Sequence, residues 1–310
     1  MKVHFLGIEW KNNKPLFHIH DINSNVDYYI DIPEFVNIQK QKDKICIGNK
    51  NPITGEFSVC KNIVAERQIQ CFKCSKQIPF FNCVKCHGNN CNVDNDILLD
   101  YCNSPHYVYL AYFSGEKIKV GTASEIRKQD RLQEQGTLFS IFIARAPSGK
   151  IARQIENWII KLGITGVVSS KYKMKNLTIR ENSVNVYKSL LAEYSNILNL
   201  IDNKYKKYFI DPEYNHYDDL SNTLTNIFNI EEKQMSLFDE QKYTYRDYII
   251  NNNIEEINGK VLCVIGKIII IEDNGIIQVY DTKRLEGFVI KFFEYDKNLL
   301  GGGVENVKHK

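Results

Sequence analysis

One stretch decides the fold of the middle of the chain: Tyr107-Val108-Tyr109-Leu110-Ala111-Tyr112-Phe113, then Ser114-Gly115-Glu116, then Lys117-Ile118-Lys119-Val120-Gly121. Two short runs rich in aromatic and β-branched residues, separated by a Gly-containing turn, predict neighbouring strands. A third strand is predicted from Leu138 to Ala144. These segments favour a compact sheet.

Two helices are predicted beside these strands. The first runs from an N-cap at Ser124 to about Gln135, where Gly136 ends it. The second starts near Ser148 and ends at Gly163, with its apolar residues at helical spacing on one face. Residues 105–182 are therefore predicted to form a three-stranded sheet flanked by helices.

Working outward, the remaining segments complete an α+β fold class. The predicted order is a β-rich lead-in (1–40), a cysteine-rich zinc module (41–104), the αβ domain (105–182), a helical connector (183–232), a linker (233–256), a small β-rich domain (257–298) and a disordered tail (299–310). Within the connector, a helix at 183–203 and another at 219–230 enclose a Tyr- and Asp-containing loop. The C-terminal domain is predicted as strands Lys260–Ile271, Ile276–Tyr280 and Phe288–Phe293, with a hairpin turn at Asn274-Gly275.

Eight of the nine cysteines lie in one segment that has little apolar periodicity. Such a segment needs a cross-link or a bound metal ion to be ordered. They are Cys46, Cys60, Cys71-x-x-Cys74, Cys83-x-x-Cys86, Cys91 and Cys102. Four thiolates complete the tetrahedron of a structural zinc ion, so eight predict two closed sites with no open position for catalysis.

The partition of these cysteines remains open. A sequential arrangement assigns the first four to one ion and the last four to another, whereas a ribbon arrangement pairs Cys71 and Cys74 with Cys83 and Cys86. An iron–sulfur cluster also uses four thiolates, and disulfides are the third alternative. Cys263 lies in an apolar strand and is predicted to be an inert core residue. In the lead-in, His18 and His20 share a strand face, but the sequence shows no third metal ligand nearby.

Charge and hydropathy point to a cytoplasmic protein without a membrane span. No run reaches the roughly 20 apolar residues that a membrane helix needs, and residues 1–10 do not resemble a signal peptide. The net charge of +3 conceals an asymmetry, with 13 Lys and Arg against 6 Asp and Glu in residues 103–182 and 11 against 18 in residues 211–310. A polyanion would therefore contact the middle of the chain.

Two family resemblances rest on these motifs. Tyr107-Val108-Tyr109 followed by Lys119-Val120-Gly121-Thr122 resembles the paired signature of the GIY-YIG nuclease superfamily, with Lys119 in place of the second tyrosine. The wider succession resembles the uncharacterised domain-of-unknown-function family 2797. It comprises Cys46-Ile47-Gly48, Cys60, Gln70-Cys71-x-x-Cys74, His106 to Ala111, Lys119 to Thr122, Arg131-Leu132-x-Glu134-Gln135-Gly136 and Ala152-Arg153-x-x-Glu156.

The superfamily resemblance implies metal-dependent hydrolysis of phosphodiester bonds. It assigns the water-orienting role to Tyr109, the phosphate contact to Arg131 (with Arg127 as a competitor) and a Mg²⁺ or Mn²⁺ ligand to Glu156. Lys119 would neutralise phosphate or lower the pKa of a hydroxyl, and His106 would act as an acid or base. The basic residues expected to contact nucleic acid are Arg127, Lys128, Lys171, Lys173 and Lys175.

Two other functions and one partner are also considered. The same fold could bind DNA or RNA without cleaving it, or it could belong to a nucleic-acid modification enzyme whose zinc module presents the substrate. Separately, Gln234-Met235-Ser236-Leu237-Phe238 resembles the pentapeptide by which bacterial proteins bind the DNA sliding clamp. We therefore expect nucleic acid, and through this peptide the clamp, as partners.

Overall fold

The computed structural model describes residues 2–77, 83, 86–89, 91, 95–115, 117–179, 182–216, 218–232 and 243–293. The chain divides into two compact units. One, here called the sheet unit, comprises Met1–Phe81 and Tyr248–Lys310, and the other, the αβ unit, comprises Asn82–Asp247.

The sheet unit is built on nine strands. They are β1 (Lys2–Lys11), β2 (Lys14–Asp21), β3 (Val26–Asp31), β4 (Phe35–Lys44), β13 (Tyr248–Asn251), β14 (Glu256–Ile265), β15 (Ile268–Asp273), β16 (Ile276–Asp281) and β17 (Phe288–Phe292). Their order across the sheet is β13-β16-β15-β14-β4-β17-β1-β2-β3, and only the β13–β16 pair is parallel. A short hairpin of β5 (Asn49–Lys50) and β6 (Phe57–Ser58), helix α1 (Phe72–Gln77) and a 3₁₀ turn (Thr282–Leu285) complete the unit.

The predicted lead-in and the predicted C-terminal β-rich domain are parts of this one sheet, rather than two domains. Strand β17 pairs with both β1 and β4, and β14 pairs with β4. Buried side chains from both ends of the chain, such as Phe5 and Ile271, form a single hydrophobic cluster. The division between the units falls inside the predicted 41–104 cysteine module, which is therefore split between them.

Two turns show how local sequence sets the register of the C-terminal strands. Asn274 and Gly275 have φ of 48° and 78° and close the β15–β16 hairpin, as the sequence predicts. The predicted single strand Lys260–Ile271 is instead two strands, because Gly266, with φ of 60°, begins a tight turn that pairs Ile265 with Ile268. Glycine adopts this conformation without steric cost.

The αβ unit contains a four-stranded antiparallel sheet and seven helices among its described residues. The strands are β7 (His106–Phe113), β8 (Lys117–Ser124), β9 (Phe139–Ala146) and β10 (Phe209–His216), in the order β10-β9-β7-β8. The helices are α2 (Asp96–Asn103), α3 (Lys128–Glu134), α4 (Gly149–Lys161), α5 (Ser170–Lys175), α6 (Ser183–Leu200), α7 (Asn203–Lys206) and α8 (Asp218–Phe228). A 3₁₀ turn (Glu125–Arg127) precedes α3, and β11 (Glu231–Glu232) pairs with β12 (Tyr243–Thr244).

Strand β7 is buried along its whole length, which explains its unbroken apolar sequence. Its odd-numbered residues, including Tyr107 and Tyr109, pack with Leu132 and Phe142 in one cluster. Helix α4 also packs against β7 and β8. It begins as predicted at Ser148, whose side chain accepts a hydrogen bond from the Ile151 N–H.

The structure differs from the predicted αβ domain at two points. The sheet has four strands rather than three, because Phe209–His216, predicted as part of a loop, pairs with β9. The predicted helix from Ser124 to Gln135 is a 3₁₀ turn followed by the short α3, and the Ser124 side chain makes no capping hydrogen bond.

Candidate functional site

Four cysteines of the sheet unit form a compact cluster, here called the first thiol set. Cys46 follows β4, Cys60 follows β6, and Cys71 and Cys74 lie at the start of α1. Their sulfur atoms all lie within 4.8 Å of one another, and the Cys60 and Cys71 Sγ atoms are 3.8 Å apart. With Zn–S bonds of about 2.3 Å, a tetrahedron has an edge of about 3.8 Å, so the set has the dimensions of a zinc site.

Backbone and side-chain donors surround the sulfur atoms of this set. The Cys46 Sγ accepts hydrogen bonds from the N–H groups of Gly48 at 3.4 Å and Cys71 at 3.2 Å. Asn62 Nδ2 donates to the Cys71 Sγ at 3.3 Å and is the main cause that lowers the pKa of this thiol to about 6. Gly48 has φ of 71°, and a Cβ there would lie 2.0 Å from the Ser58 carbonyl oxygen. These contacts favour the thiolate form of Cys71, whereas burial raises the pKa of Cys46 and of Cys74.

The other four cysteines, Cys83, Cys86, Cys91 and Cys102, belong to the αβ unit. Burial raises the pKa of Cys83, and the other three cysteines raise it further by their charges. They are therefore neighbours, but among the described residues only the first thiol set has three or more potential ligand atoms within 4.8 Å. All nine cysteines are free thiols. The first set is the group that the sequential partition predicts; a second metal site remains a prediction.

A polar cluster lies on one face of the β7–β8 pair. Tyr109 is opposite Gly121 and Ala111 is opposite Lys119, so Tyr109 and Lys119 are on the same face. A Cβ on Gly121 would come within 2.4 Å of the Tyr109 hydroxyl oxygen and 2.5 Å of the ring. The glycine of the Lys-Val-Gly motif is therefore required for the tyrosine ring to lie across strand β8.

The Tyr109 hydroxyl is wholly buried and makes no hydrogen bond of good geometry with a described residue. Burial raises its pKa to about 12, while the nearby charge of Arg131 acts in the opposite direction and that of Glu156 in the same direction. An unpaired buried hydroxyl costs folding free energy. Gln135 and Arg131 nevertheless lie close enough to act on its pKa as weak hydrogen-bonding partners.

Lys119 is a strongly perturbed amine. Burial and the positive charges of Arg131 and Lys173 lower its pKa to about 7. Its Nζ donates a hydrogen bond of 2.6 Å to Gln135 Oε1, and the Lys173 Nζ donates to the Gln135 carbonyl oxygen. Gln135 was not predicted as a site residue, although it belongs to the Arg-Leu-x-Glu-Gln-Gly motif.

Glu156, on α4, supplies negative charge to this cluster. Burial raises its pKa, whereas the charges of Arg153, Lys119 and Arg131 lower it. Because the charge of Glu156 also acts on Tyr109 and Lys119, it belongs to the same cluster. The structure thus brings together five predicted residues, here called the polar cluster: Tyr109, Lys119, Arg131, Glu156 and Lys173.

His106 has a different environment. It is buried, its Nδ1 is 2.8 Å from the Ser104 carbonyl oxygen, and its ring packs edge-on against Tyr101. Its ring atoms would lie 3.1 Å from a Cβ on Gly149. Burial lowers its pKa, and alternation along β7 directs it away from the Tyr109 face. These contacts are those of a structural histidine rather than an acid or base of the polar cluster.

The other basic residues are divided between paired and exposed positions. Arg127 forms an ion pair with Glu134, and Lys128 pairs with Glu213 at 2.8 Å and lies over the Tyr107 ring. Lys171 and Lys175 are exposed on α5. Arg131 is 3.6 Å from Glu134 and keeps 45% of its side chain exposed, so it is better placed than Arg127 to contact a ligand.

The clamp-like peptide Gln234–Phe238 lies outside the described residues, as does the predicted tail at 299–310. Among the described helices, none combines the length and apolar character needed to cross a bilayer.

Comparison with known proteins identifies the family but no activity. No curated protein and no solved structure shows a significant match to the chain. Residues 35–290 match the family model described as "Protein of unknown function (DUF2797)". Because this match covers most of the chain, the protein belongs to the DUF2797 family.

Proposed function

We propose that the αβ unit binds the phosphate backbone of nucleic acid and hydrolyses phosphodiester bonds with a divalent cation. The observation that carries the proposal is the convergence of Lys119, Arg131 and Lys173 around the carboxylate of Glu156. The GIY-YIG resemblance supports the same chemistry, although the family match itself carries no activity.

The excess of positive charge in the polar cluster favours an anionic ligand. Arg131 and Lys173 both lower the pKa of Lys119, so the three cations repel one another. A phosphate relieves this repulsion, and a guanidinium matches two of its oxygen atoms at once. The basic balance of residues 103–182 would steer a polyanion to the same unit.

Glu156 is suited to hold Mg²⁺ or Mn²⁺. Its carboxylate is the hard oxygen ligand that these ions prefer, and its burial-raised pKa marks a charge that a cation would compensate. A bound divalent cation would lower the pKa of a coordinated water and offset charge that develops on the phosphate.

Lys119 is the proposed general base. With a pKa of about 7, a large share of its amine is neutral at physiological pH and can accept the proton of the attacking water. Tyr109 has no exposed surface. We therefore assign it to positioning Arg131 and Gln135, rather than to direct contact with water.

The test is a cleavage assay with labelled single- and double-stranded DNA and structured RNA, with Mn²⁺ or chelator. We expect Mn²⁺-dependent cleavage that falls by about 100-fold or more in Glu156→Ala and Arg131→Ala. The matched control is Lys161→Ala, an exposed residue of the same helix as Glu156. Metal-dependent cleavage that is unchanged in both site variants would refute the assignment.

A second candidate is binding without cleavage, favoured by the complete burial of the Tyr109 hydroxyl. If the protein only binds, Arg131→Ala should weaken nucleic-acid binding about equally for all sequences and reduce the slope of log K against log salt concentration by about 1. No metal ion should then support cleavage.

For the cysteines we propose a structural role. One Zn²⁺ bound by the first thiol set and a second bound by Cys83, Cys86, Cys91 and Cys102 would each close a four-sulfur site. The support is the short distances between the sulfur atoms of the first thiol set. Metal analysis that finds iron and sulfide instead of zinc would replace this proposal with a cluster.

A further inference from the structure

A second candidate site lies in the sheet unit, in a cleft of about 730 Å³. Two of its lining residues, His4 and His20, are opposite each other on β1 and β2, and His20 is opposite Asp27 on β3. The pairing of three strands therefore places an imidazole, a second imidazole and a carboxylate in one row. His4 lies on a different strand from His18 and His20, so sequence spacing gives no sign that it joins them.

In this row, His20 and Asp27 are hydrogen-bonded to each other, whereas the His4 ring is not well paired. His20 Nδ1 is 2.9 Å from the Asp27 carboxylate, and both residues are buried. His4 is 1% exposed, and neither of its ring nitrogens makes a hydrogen bond of good geometry in the described chain, although the Ile45 backbone acts on the ring as a weak partner. Its ring lies edge-on to His20, with 6.5 Å between the centroids. A buried imidazole that lacks good hydrogen bonds, beside a cleft, is a group whose hydrogen bonds a ligand can complete.

The rim of the cleft is basic and partly apolar. Lys2, Lys42 and Lys61 line it and are exposed, against one acidic residue, Asp43. Further lining side chains are apolar, and Ile63 is 78% exposed. A ligand that fits this lining has an anionic group, hydroxyls and a flat or apolar part.

We infer that this cleft binds a nucleotide, either free or at the end of a nucleic acid strand. The lysine ammonium groups would bind the phosphate as point charges. His4, held neutral by burial and by neighbouring histidines, has one ring N–H donor and one acceptor. Both nitrogens are covered in this structure, so they would bind a ribose hydroxyl only after the ligand displaces the side chains over the ring. The exposed isoleucines would pack against the base. The volume is in the range of small-molecule sites, and the inference is independent of the polar cluster.

A metal ion is the main competing ligand for paired histidines. A His-based site needs three or more ligand atoms around one point. In the described part of the chain, only the first thiol set meets this condition. The basic rim would also repel a cation. A nucleotide therefore matches more features of the cleft lining than a metal ion does.

The experiment titrates the full-length protein with adenosine 5′-monophosphate, adenosine, inorganic phosphate and an RNA octamer with or without a 5′-phosphate. Calorimetry gives the affinity, and NMR follows the ring signals of His4 and His20. The variants are His4→Phe and the double variant Lys42→Gln/Lys61→Gln. Lys14→Gln is the control, because Lys14 is an exposed lysine of the same sheet that pairs with Asp31.

We expect the monophosphate to shift both histidine signals and to bind more tightly than adenosine or phosphate alone. The double lysine variant should lose about tenfold in affinity, as should His4→Phe, while the control keeps the wild-type value. Tighter binding of the phosphorylated octamer than of the mononucleotide would identify a strand end, and the reverse order a free nucleotide. Absence of a histidine shift, equal affinities in all variants, or shifts caused by Zn²⁺ but not by nucleotide would overturn the inference.

Discussion

The first thiol set and the polar cluster of the αβ unit are both assembled from separate segments of the sequence, yet they differ in whether their side chains have favourable partners. In the first thiol set, four cysteine sulfur atoms lie close together, and backbone N–H groups donate hydrogen bonds to the Cys46 sulfur. In the polar cluster, Lys119 is repelled by two cations, and the Tyr109 hydroxyl makes no hydrogen bond of good geometry with a described residue. The first arrangement is stable once it holds a metal ion. The second keeps unfavourable interactions that a substrate could relieve, which is typical of functional sites.

The largest effect should come from breaking the first thiol set. Cys71→Ser removes one ligand, and structural zinc contributes roughly 10–16 kcal/mol in small zinc domains. We expect loss of one zinc per chain and unfolding of the cysteine segment, measured by metal analysis and hydrogen exchange. Cys263→Ser is the control, since this cysteine lies in β14 and outside the set. Wild-type zinc content and protection in Cys71→Ser would show that the set is not a metal site.

The second effect tests the contact between Gly121 and Tyr109. Gly121→Ala places a Cβ 2.4 Å from the tyrosine hydroxyl, so the free energy of unfolding should fall by about 1–3 kcal/mol. The same change in a Tyr109→Ala background should cost much less, because the ring is gone. Chemical denaturation of the four proteins measures the coupling. Equal costs in both backgrounds would mean that the ring does not lie over Gly121.

A smaller effect distinguishes a functional tyrosine from a structural one. Tyr109→Phe removes a buried hydroxyl whose contacts with Arg131 and Gln135 fall short of good hydrogen-bond geometry, so we expect the free energy of unfolding to stay equal or rise by about 1 kcal/mol. Cleavage or nucleic-acid binding should decrease in the same variant. In the comparison variant Tyr172→Phe, stability should fall by about 1 kcal/mol, since this hydroxyl donates to the Gly115 carbonyl oxygen. A fall of similar size in Tyr109→Phe would indicate an ordinary structural hydroxyl.

Local patterns predicted much of the αβ unit, because its strands and helices are set by neighbouring residues. The strands at 107–113 and 117–121 and the helix that starts at Ser148 follow from apolar runs and a capping serine. Strand β10 was missed because Asp211 and Pro212 interrupt its apolar character. The nine-stranded sheet was also missed, since pairing β1 with β17 joins residues that are nearly the whole chain apart.

The candidate sites were predictable to a similar extent. Cysteine spacing predicts thiolate ligands, but only the folded positions decide which four share a site. The family motif predicts Lys119 and Glu156, but the burial and charges that perturb Lys119 come from tertiary structure. His4 has no sequence signal as a partner of His20, because their contact depends on the register of β1 and β2.

The low pKa of Lys119 also has a consequence for stability. Its pKa is about 7 in the folded state, against 10.5 for an ordinary lysine, so the unfolded chain binds more protons between these pH values. The contribution of Lys119 to the free energy of unfolding should therefore rise with pH across this window. Lys119→Met should abolish this part of the pH dependence, whereas Lys14→Met should retain it.

The most direct test of a functional polar cluster is titration of the Lys119 side chain, followed by NMR of the labelled ε-carbon in the folded protein. The lysine signals are assigned by comparison with Lys119→Met. We predict a midpoint near pH 7, because burial and the charges of Arg131 and Lys173 disfavour the protonated amine. A midpoint near 10.5 would mean that Lys119 is an ordinary solvated lysine and would contradict its proposed role as a general base.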